Sequence, residues 1–303
     1  MDLRQLTTLI AIADHGSFSA AARSLYTVQS NVSGHVARLE RELGVVLVDR
    51  ANGRMTEHGD RVLERARRIM HELEDIVSDI RSREHDIAGD VRIGVIGTVA
   101  RWVMPPLLAS VAARHPSVHT IVSEGSSSAL VPNVASGLLN GAIVHLPVDE
   151  PDMTVVPFFD EELLLMAPLD HELANEQRIA ISDLHRRPLL LPPGGAALRR
   201  ILDRSAAENG ITLVPQTEVD GVRLLASLAR DGHGAAIVPA TALRAETSSD
   251  VVMIPVDGLP RRRVAWVRRR RPNPTPATEA VFDCLQSTVA DNLQHQIGLH
   301  PPV

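Results

Sequence analysis

The chain has 303 residues, 44% hydrophobic and 22% charged, with a formal net charge of −6. That is the composition of an ordinary folded protein long enough for two or three domains, and too acidic overall to coat nucleic acid by bulk charge. All 31 basic residues are arginine and the lone cysteine is Cys284, which excludes lysine Schiff bases, a phosphate-loop lysine, an internal disulfide and a cysteine-held metal.

The first zone covers about residues 1–58. Leu3, Leu6, Leu9, Ile10 and Ala13 recur at helical spacing. His15-Gly16-Ser17 ends that helix, and Ser17 or Ser19 can cap the next, whose small apolar face is Ala21, Ala22 and Leu25. Tyr26-Thr27-Val28 makes a turn. A third helix then runs to about Leu43 with Val32, Val36, Leu39 and Leu43 inward and Gly44 at its C-cap. The Asn52-Gly53 pair between VVLVDR and RMTEH marks a hairpin turn.

From about residue 56 to 87 a helix capped by Thr56 places Val62, Ala66, Ile69, Leu73, Ile76 and Ile80 at alternating steps of four and three. That is a coiled-coil seam, or the inner stripe of a helix packed on its own domain; its length and flanking charges favour pairing with a second copy. The run from His85 to Gly89 is the break before the next domain.

The remainder alternates strands and helices. VRIGVIG, HTIVSEG and GAIVHL are strands with helices between them, and ELLLMAP, RPLLLPP, LVPQTEV and AAIVP form a second set. The predicted helices there run from Ala196 to Asn209, Val222 to Arg230 and Thr278 to Leu293, with RRRVAWVRRR as a returning strand. The rhythm predicts an α/β class, with a parallel, doubly wound sheet in each of two similar lobes and a cleft between them. The domains expected are 1–58, a linker helix 59–89, and 90–303, in which lobe I takes about 90–161 and 265–295 and lobe II about 162–264.

Two short helices joined by about three residues form a helix-turn-helix, whose second helix enters the DNA major groove N-terminus first. This accounts for the small and polar residues Gln29, Ser30, Asn31, Ser33 and Gly34 at its start; glutamine can pair bidentately with adenine. A helical hairpin with a bare outer face fits the same spacing. Through His58 there are six arginines and six acids, so phosphate contacts must come from placed groups. Arg38, Arg50 and Arg54 are the candidates, with Thr27 and His35 beside the reading face.

The stretch GSFSAAARSLYTVQSNVSGHVARLERELGVVLVDRANGRMTEHG resembles the winged helix-turn-helix of the LysR-type transcriptional regulators. The likeness lies in the glycine-serine-phenylalanine start, the alanine pair, the glutamine of the family's serine-glutamine opening, the Arg-Leu-Glu and Glu-Leu-Gly elements and the threonine before the linker helix. It implies a C-terminal domain of periplasmic-binding-protein type, sequence-specific binding to double-stranded promoter DNA, and a small-molecule effector between the lobes. It also implies a homodimer through the linker helix, assembly to a homotetramer, and RNA polymerase as a partner. Two positions depart from the pattern. Val28 replaces the usual serine, so its capping or phosphate role passes to Thr27 or Ser30 or is lost, and Gly34 replaces a basic residue.

Ligands of doubly wound sheets sit beyond the strand C-termini, at helix N-termini. Gly97-Thr98-Val99-Ala100, Ser126-Ser127-Ser128, Pro193-Gly194-Gly195 and Asp220-Gly221 lie at such places. Their hydroxyl and N–H groups suit a carboxylate, though capping chemistry alone would place the same residues there. The resemblance adds weight to Thr98, Ser126 and Ser127. Ala100 shares the first of these loops, and Arg101 faces either an anionic ligand or solvent. The runs Arg261–Arg263 and Arg268–Arg271 read as a solvated strand edge.

An enzyme is not expected, and neither is a cofactor or a metal. The stretch after Gly125 lacks a nucleophile elbow's second glycine, no Gly-x-Gly-x-x-Gly follows the first strand, and the thirteen histidines are scattered. A plain solute-binding protein would leave the first two zones without purpose. The family's peroxide sensors cycle a disulfide between two cysteines, which Cys284 alone cannot do. No membrane-spanning run and no cleavable leader pattern appear, so the cytoplasm is the expected location.

Overall fold

A computed structural model describes residues 1–81, 87–242, 251–293 and 296–302. Two compact units make up the chain: 1–83 with 136–138, and 84–135 with 139–303.

The first unit contains α1 (Leu3–His15), α2 (Phe18–Ser24), α3 (Gln29–Leu43) and α4 (Glu57–Arg81). Local chemistry sets their ends. Asp2 and Gln5 form a reciprocal capping box on α1, the Ser17 hydroxyl accepts from Ala20 N–H at α2, and Thr56 Oγ1 accepts from Gly59 N–H at 3.0 Å to start α4. Gly16 and Gly44 close α1 and α3 in the left-handed conformation. Leu9, Ile12, Ala21, Val32, Val36, Leu39, Leu47 and Ala66 share one core. The inward stripe of α1 differs from expectation. Leu3 is 47% exposed and Ile12 fully buried, so the stripe runs Leu6, Leu9, Ile12. Leu43, expected inward, is 38% exposed. The wing is a single bridge between Val48 and Met55.

The α4 seam is divided. Leu63 and Ala66 are buried and Val62 packs on the same core, whereas Ile69, Ile76 and Ile80 are exposed, Ile80 by 78%. The first three turns therefore pack on their own unit and the later ones leave an apolar stripe open. His85 and Asp86 of the expected break lie outside the described residues.

The second unit has two six-stranded sheets. In lobe I, β1 (Gly89–Ile96) pairs parallel with β2 (Val118–Gly125) and β3 (Gly141–His145). Helix α5 (Gly97–Arg114) follows β1 and α6 (Ser127–Ala135) follows β2. β4 (Met153–Glu161) then leads directly into β5 (Leu163–Pro168) of lobe II. That lobe adds β6 (Ile179–Ala180), β7 (Pro188–Leu191), α7 (Ala197–Glu208), β8 (Val214–Glu218), α8 (Val222–Arg230), β9 (Ala236–Pro239) and β10 (Val251–Asp257). β11 (Arg262–Arg269), α9 (Pro276–Leu293) and β12 (Leu299–His300) complete lobe I.

The sheets are mixed rather than wholly parallel. β11 runs antiparallel to β3 and β4, and β5 antiparallel to β9 and β10. β4 and β10 escape the sequence reading because each carries a proline, Pro157 and Pro255, inside an otherwise strand-like run; in β4 the proline sits beside the register shift at Val264/Ala265.

The chain crosses between lobes at 161–163 and again at 257–262, and the two crossings lie side by side. Register pairs Arg262 with Glu161 and Arg263 with Asp160. Three rungs result: Arg263 Nε to Asp160 Oδ1 at 2.7 Å, Arg262 Nη2 to Glu161 Oε1 at 2.5 Å, and Arg261 Nη2 to Glu162 Oε1 at 3.0 Å. The middle rung is buried, with the Glu161 side chain at 0% and that of Arg262 at 7% exposure. β11 therefore lies inside the sheet and Arg262 is buried, so the run is not a strand edge, although Arg261 and Arg263 keep contact with solvent. Each arginine has an acid opposite it, contributed by the end of β4 or the residue after it, about a hundred residues earlier.

Candidate DNA-reading helix and effector cleft

On α3 the inner side chains Val32, Val36 and Leu39 are fully buried, while Gln29, Ser30 and Asn31 are exposed and Ser33, Gly34 and His35 half-buried. Ser19 Oγ donates to Gln29 Oε1 at 2.8 Å, and Asn31 Nδ2 donates to Thr27 Oγ1 at 2.9 Å. Both amides at the helix start are thus held in place before any partner arrives. Thr27 is used by Asn31, and Val28, in the N-cap position, makes no side-chain cap. The missing cap costs about 1 kcal/mol and leaves the first N–H groups of α3 directed outward, where a phosphate oxygen can take them.

The three arginine candidates differ. Arg38 folds back along α3, with Nε on Gly34 O at 3.2 Å and Nη2 beside His35 Nδ1 at 3.2 Å. Arg50 bonds Glu40 Oε2 at 3.0 Å and stands 5.8 Å from the Phe18 ring centroid. Glu40 also accepts from the Leu47 and Val48 N–H groups, so it fastens α3 to the wing and holds Arg50 there. Arg54 is exposed on the wing, its N–H on Asn52 Oδ1.

In the second unit, Thr98 sits in the first turn of α5, a helix without a side-chain cap. It is 5% exposed, and its hydroxyl has no hydrogen-bond partner among the described residues. Leaving such a group unpaired costs about 1–3 kcal/mol. Ala100, two residues on, is half-buried. Ser126 accepts from Ala129 N–H at 3.3 Å and so caps α6, while Ser127 Oγ accepts from His145 N–H at 2.9 Å. Glu124 at the end of β2 pairs with Arg223 in the first turn of α8 at 2.8 Å, joining the lobes. Gly97 permits this: a β-carbon there would lie 2.7 Å from Glu124 Oε1 and 3.3 Å from Arg223 Nε. Arg101 lines a cavity of about 300 Å³ with Arg223, Ser227 and Arg230. Asp220 is exposed ahead of the uncapped α8, and Gly194 is exposed with open space around it in the turn before α7.

His145 was not singled out by the sequence. It ends β3 with Nδ1 buried and 3.8 Å from Glu161 Oε1, while its side chain is 24% exposed. Burial first, and the Arg262 charge second, hold its imidazole well below the usual histidine range. On its other side Glu161 Oε2 accepts from Thr241 Oγ1 at 2.7 Å. A chain of contacts thus runs from Ser127 at the α6 terminus through His145 to the buried rung between the crossings. The one sequence signal for His145 was its place at the C-terminal end of a predicted strand. No group of three or more His, Cys, Asp or Glu suited to a metal occurs among the described residues, and no described helix is long and apolar enough to cross a membrane.

Comparison with known proteins agrees with this anatomy. Residues 3–60 match the model of the bacterial regulatory helix-turn-helix proteins of the lysR family, and residues 84–290 match the LysR substrate binding domain. A probable hydrogen peroxide-inducible genes activator of Streptomyces viridosporus is 31% identical, covering 88% of each chain. The DNA-binding transcriptional dual regulator OxyR of Escherichia coli is 29% identical over 89% of this chain and 90% of its own. Full-length CbnR in complex with its target DNA shares the fold, with a TM-score of 0.72 at 22% identity over 95% of this chain and 100% of that one. The chain belongs to the LysR family: it is a DNA-binding transcriptional regulator that joins a helix-turn-helix to an effector-binding domain, and not an enzyme.

Proposed function

We propose that α3 reads promoter DNA through Gln29, Ser30, Asn31 and Ser33, with Gly34 allowing close approach and Thr27, His35, Arg38, Arg50 and Arg54 serving the backbone. The observation that carries this is the opposition on α3: an inner face fully buried, and an outer face of exposed amides already oriented by Ser19 and Thr27. The regulatory ligand is a small carboxylate held between the lobes by Thr98, Ala100, Arg101, Ser126, Ser127, Gly194 and Asp220. The buried, unpaired Thr98 hydroxyl beside open helix N–H groups supports that class. Residues 1–58 form the reading domain, 59–89 the linker and 90–303 the effector domain. The open stripe of Ile69, Ile76 and Ile80 suits pairing of two α4 helices. On this reading the protein works in the cytoplasm as a homodimer that assembles to a tetramer, with RNA polymerase as a further partner.

A thiol trigger is not part of this reading, despite the relatives named for hydrogen peroxide. The 303 residues contain one cysteine, and Cys284 is fully buried beside Val281 and Leu285. Two measurements on the full chain test the two halves. Gln29→Ala weakens binding to the selected operator by about 1–3 kcal/mol and spares non-specific DNA; equal losses on both refute base reading by Gln29. A thermal-shift screen of small aliphatic and aromatic carboxylates raises the melting temperature for at least one of them, and Thr98→Val abolishes that rise. A flat screen removes the carboxylate.

A further inference from the structure

Two apolar side chains stand on the approach to α3 with no role in the folded chain. Val28 is 59% exposed, makes no cap and belongs to no buried cluster. Tyr26, the single tyrosine, is 98% exposed on a backbone with φ of 53°, a conformation that residues with a β-carbon rarely adopt. A solvated helix start would more ordinarily carry serine, threonine or aspartate at the N-cap.

The neighbouring side chains sharpen the question. Gln29, Ser30 and Asn31 are polar and match the donors and acceptors of base edges. An aliphatic group in the same groove can match only one feature there, the 5-methyl of thymine. Val28 directly precedes Gln29, and the N-terminal end of a recognition helix is the part that meets base edges.

Resting on the reading of α3 as the base-reading helix, we infer that Val28 is a specificity-determining residue that packs against a thymine 5-methyl, with Tyr26 extending the apolar surface on the same approach. The operator then carries, in each half-site, one thymine recognised by its methyl group and not by a hydrogen bond, adjacent to the base pair that Gln29 reads. Losing the polar N-cap gains selection for thymine over cytosine at that step.

The experiment uses the full chain and duplexes enriched from a random pool. Each thymine of the enriched site is replaced in turn by deoxyuridine, which lacks only the methyl. For the unaltered protein, one position per half-site is expected to lose about fourfold in affinity, the equivalent of one apolar carbon returned to water. In Val28→Ala, and again in Val28→Ser, the thymine and deoxyuridine duplexes bind alike at that position. Failure to enrich any sequence overturns both this inference and base reading by α3. Enrichment with no methyl-sensitive thymine, or with one equally sensitive in both variants, overturns this inference alone.

Discussion

At the lobe junction Arg262 is 8% exposed and bonded to a carboxylate that water does not reach, whereas around α3 Arg54 and the polar side chains Gln29, Ser30 and Asn31 stand at the surface. Both regions are built from residues that prefer water, yet one spends them inward and the other outward. At the junction Glu161 and Arg262 need each other for the unit to stay folded, because an unpaired buried ion is far costlier than a lost surface pair. On α3 the fold needs only Val32, Val36 and Leu39, so the outer side chains are free to be chosen for a partner.

The largest effect expected is at the junction. Glu161→Ala leaves Arg262 buried and uncompensated and should destabilise the chain by about 3–5 kcal/mol, read from guanidinium unfolding. Replacing both Glu161 and Arg262 by methionine should recover most of that loss. If Glu161→Ala costs less than the double replacement, the junction is no more dependent on its charges than the surface is. The opposite extreme is Gln29→Ala, the variant that weakens operator binding. Its unfolding free energy should stay within about 0.5 kcal/mol of the parent, and a larger loss would mean that α3 uses its outer face for folding as well.

His145 supplies a graded test. Its folded-state pKa lies below the ordinary histidine value of 6.5, because burial and Arg262 disfavour the imidazolium. Unfolding therefore takes up a proton, and stability falls as pH drops below about 6.5 until the folded-state value is reached, by at most about 1.4 kcal/mol per pH unit. Glu161 and Arg262 are the charged groups that act on it. His145→Gln should flatten that part of the profile; His171, shifted the same way by burial and Arg187, keeps a smaller slope. An unchanged profile would place the proton uptake elsewhere.

Much of the first unit could be read from the chain before folding was considered. Ser17, Gly44 and Thr56 mark helix ends within a few residues of themselves, and the turn before Gln29 falls where its composition put it. The candidate cleft was legible as a set of loops after strands, since loop chemistry is also local. What escaped was pairing at a distance. Arg261–Arg263 looked like a surface run because β4, which supplies Asp160 and Glu161 and leads into Glu162, was itself hidden by Pro157. The α4 seam looked uniform, although Val62 and Ala66 already commit its early turns to the core.

The sequence by itself determined where helices start and stop and which face of α3 is bare, because capping and 3.6-residue periodicity act within one or two turns. Only the tertiary structure decided that the two crossings run side by side and that their charges meet. Glu161 and Arg262 stand 101 positions apart, and a β register, unlike a helical one, is set by a partner strand that local composition does not name.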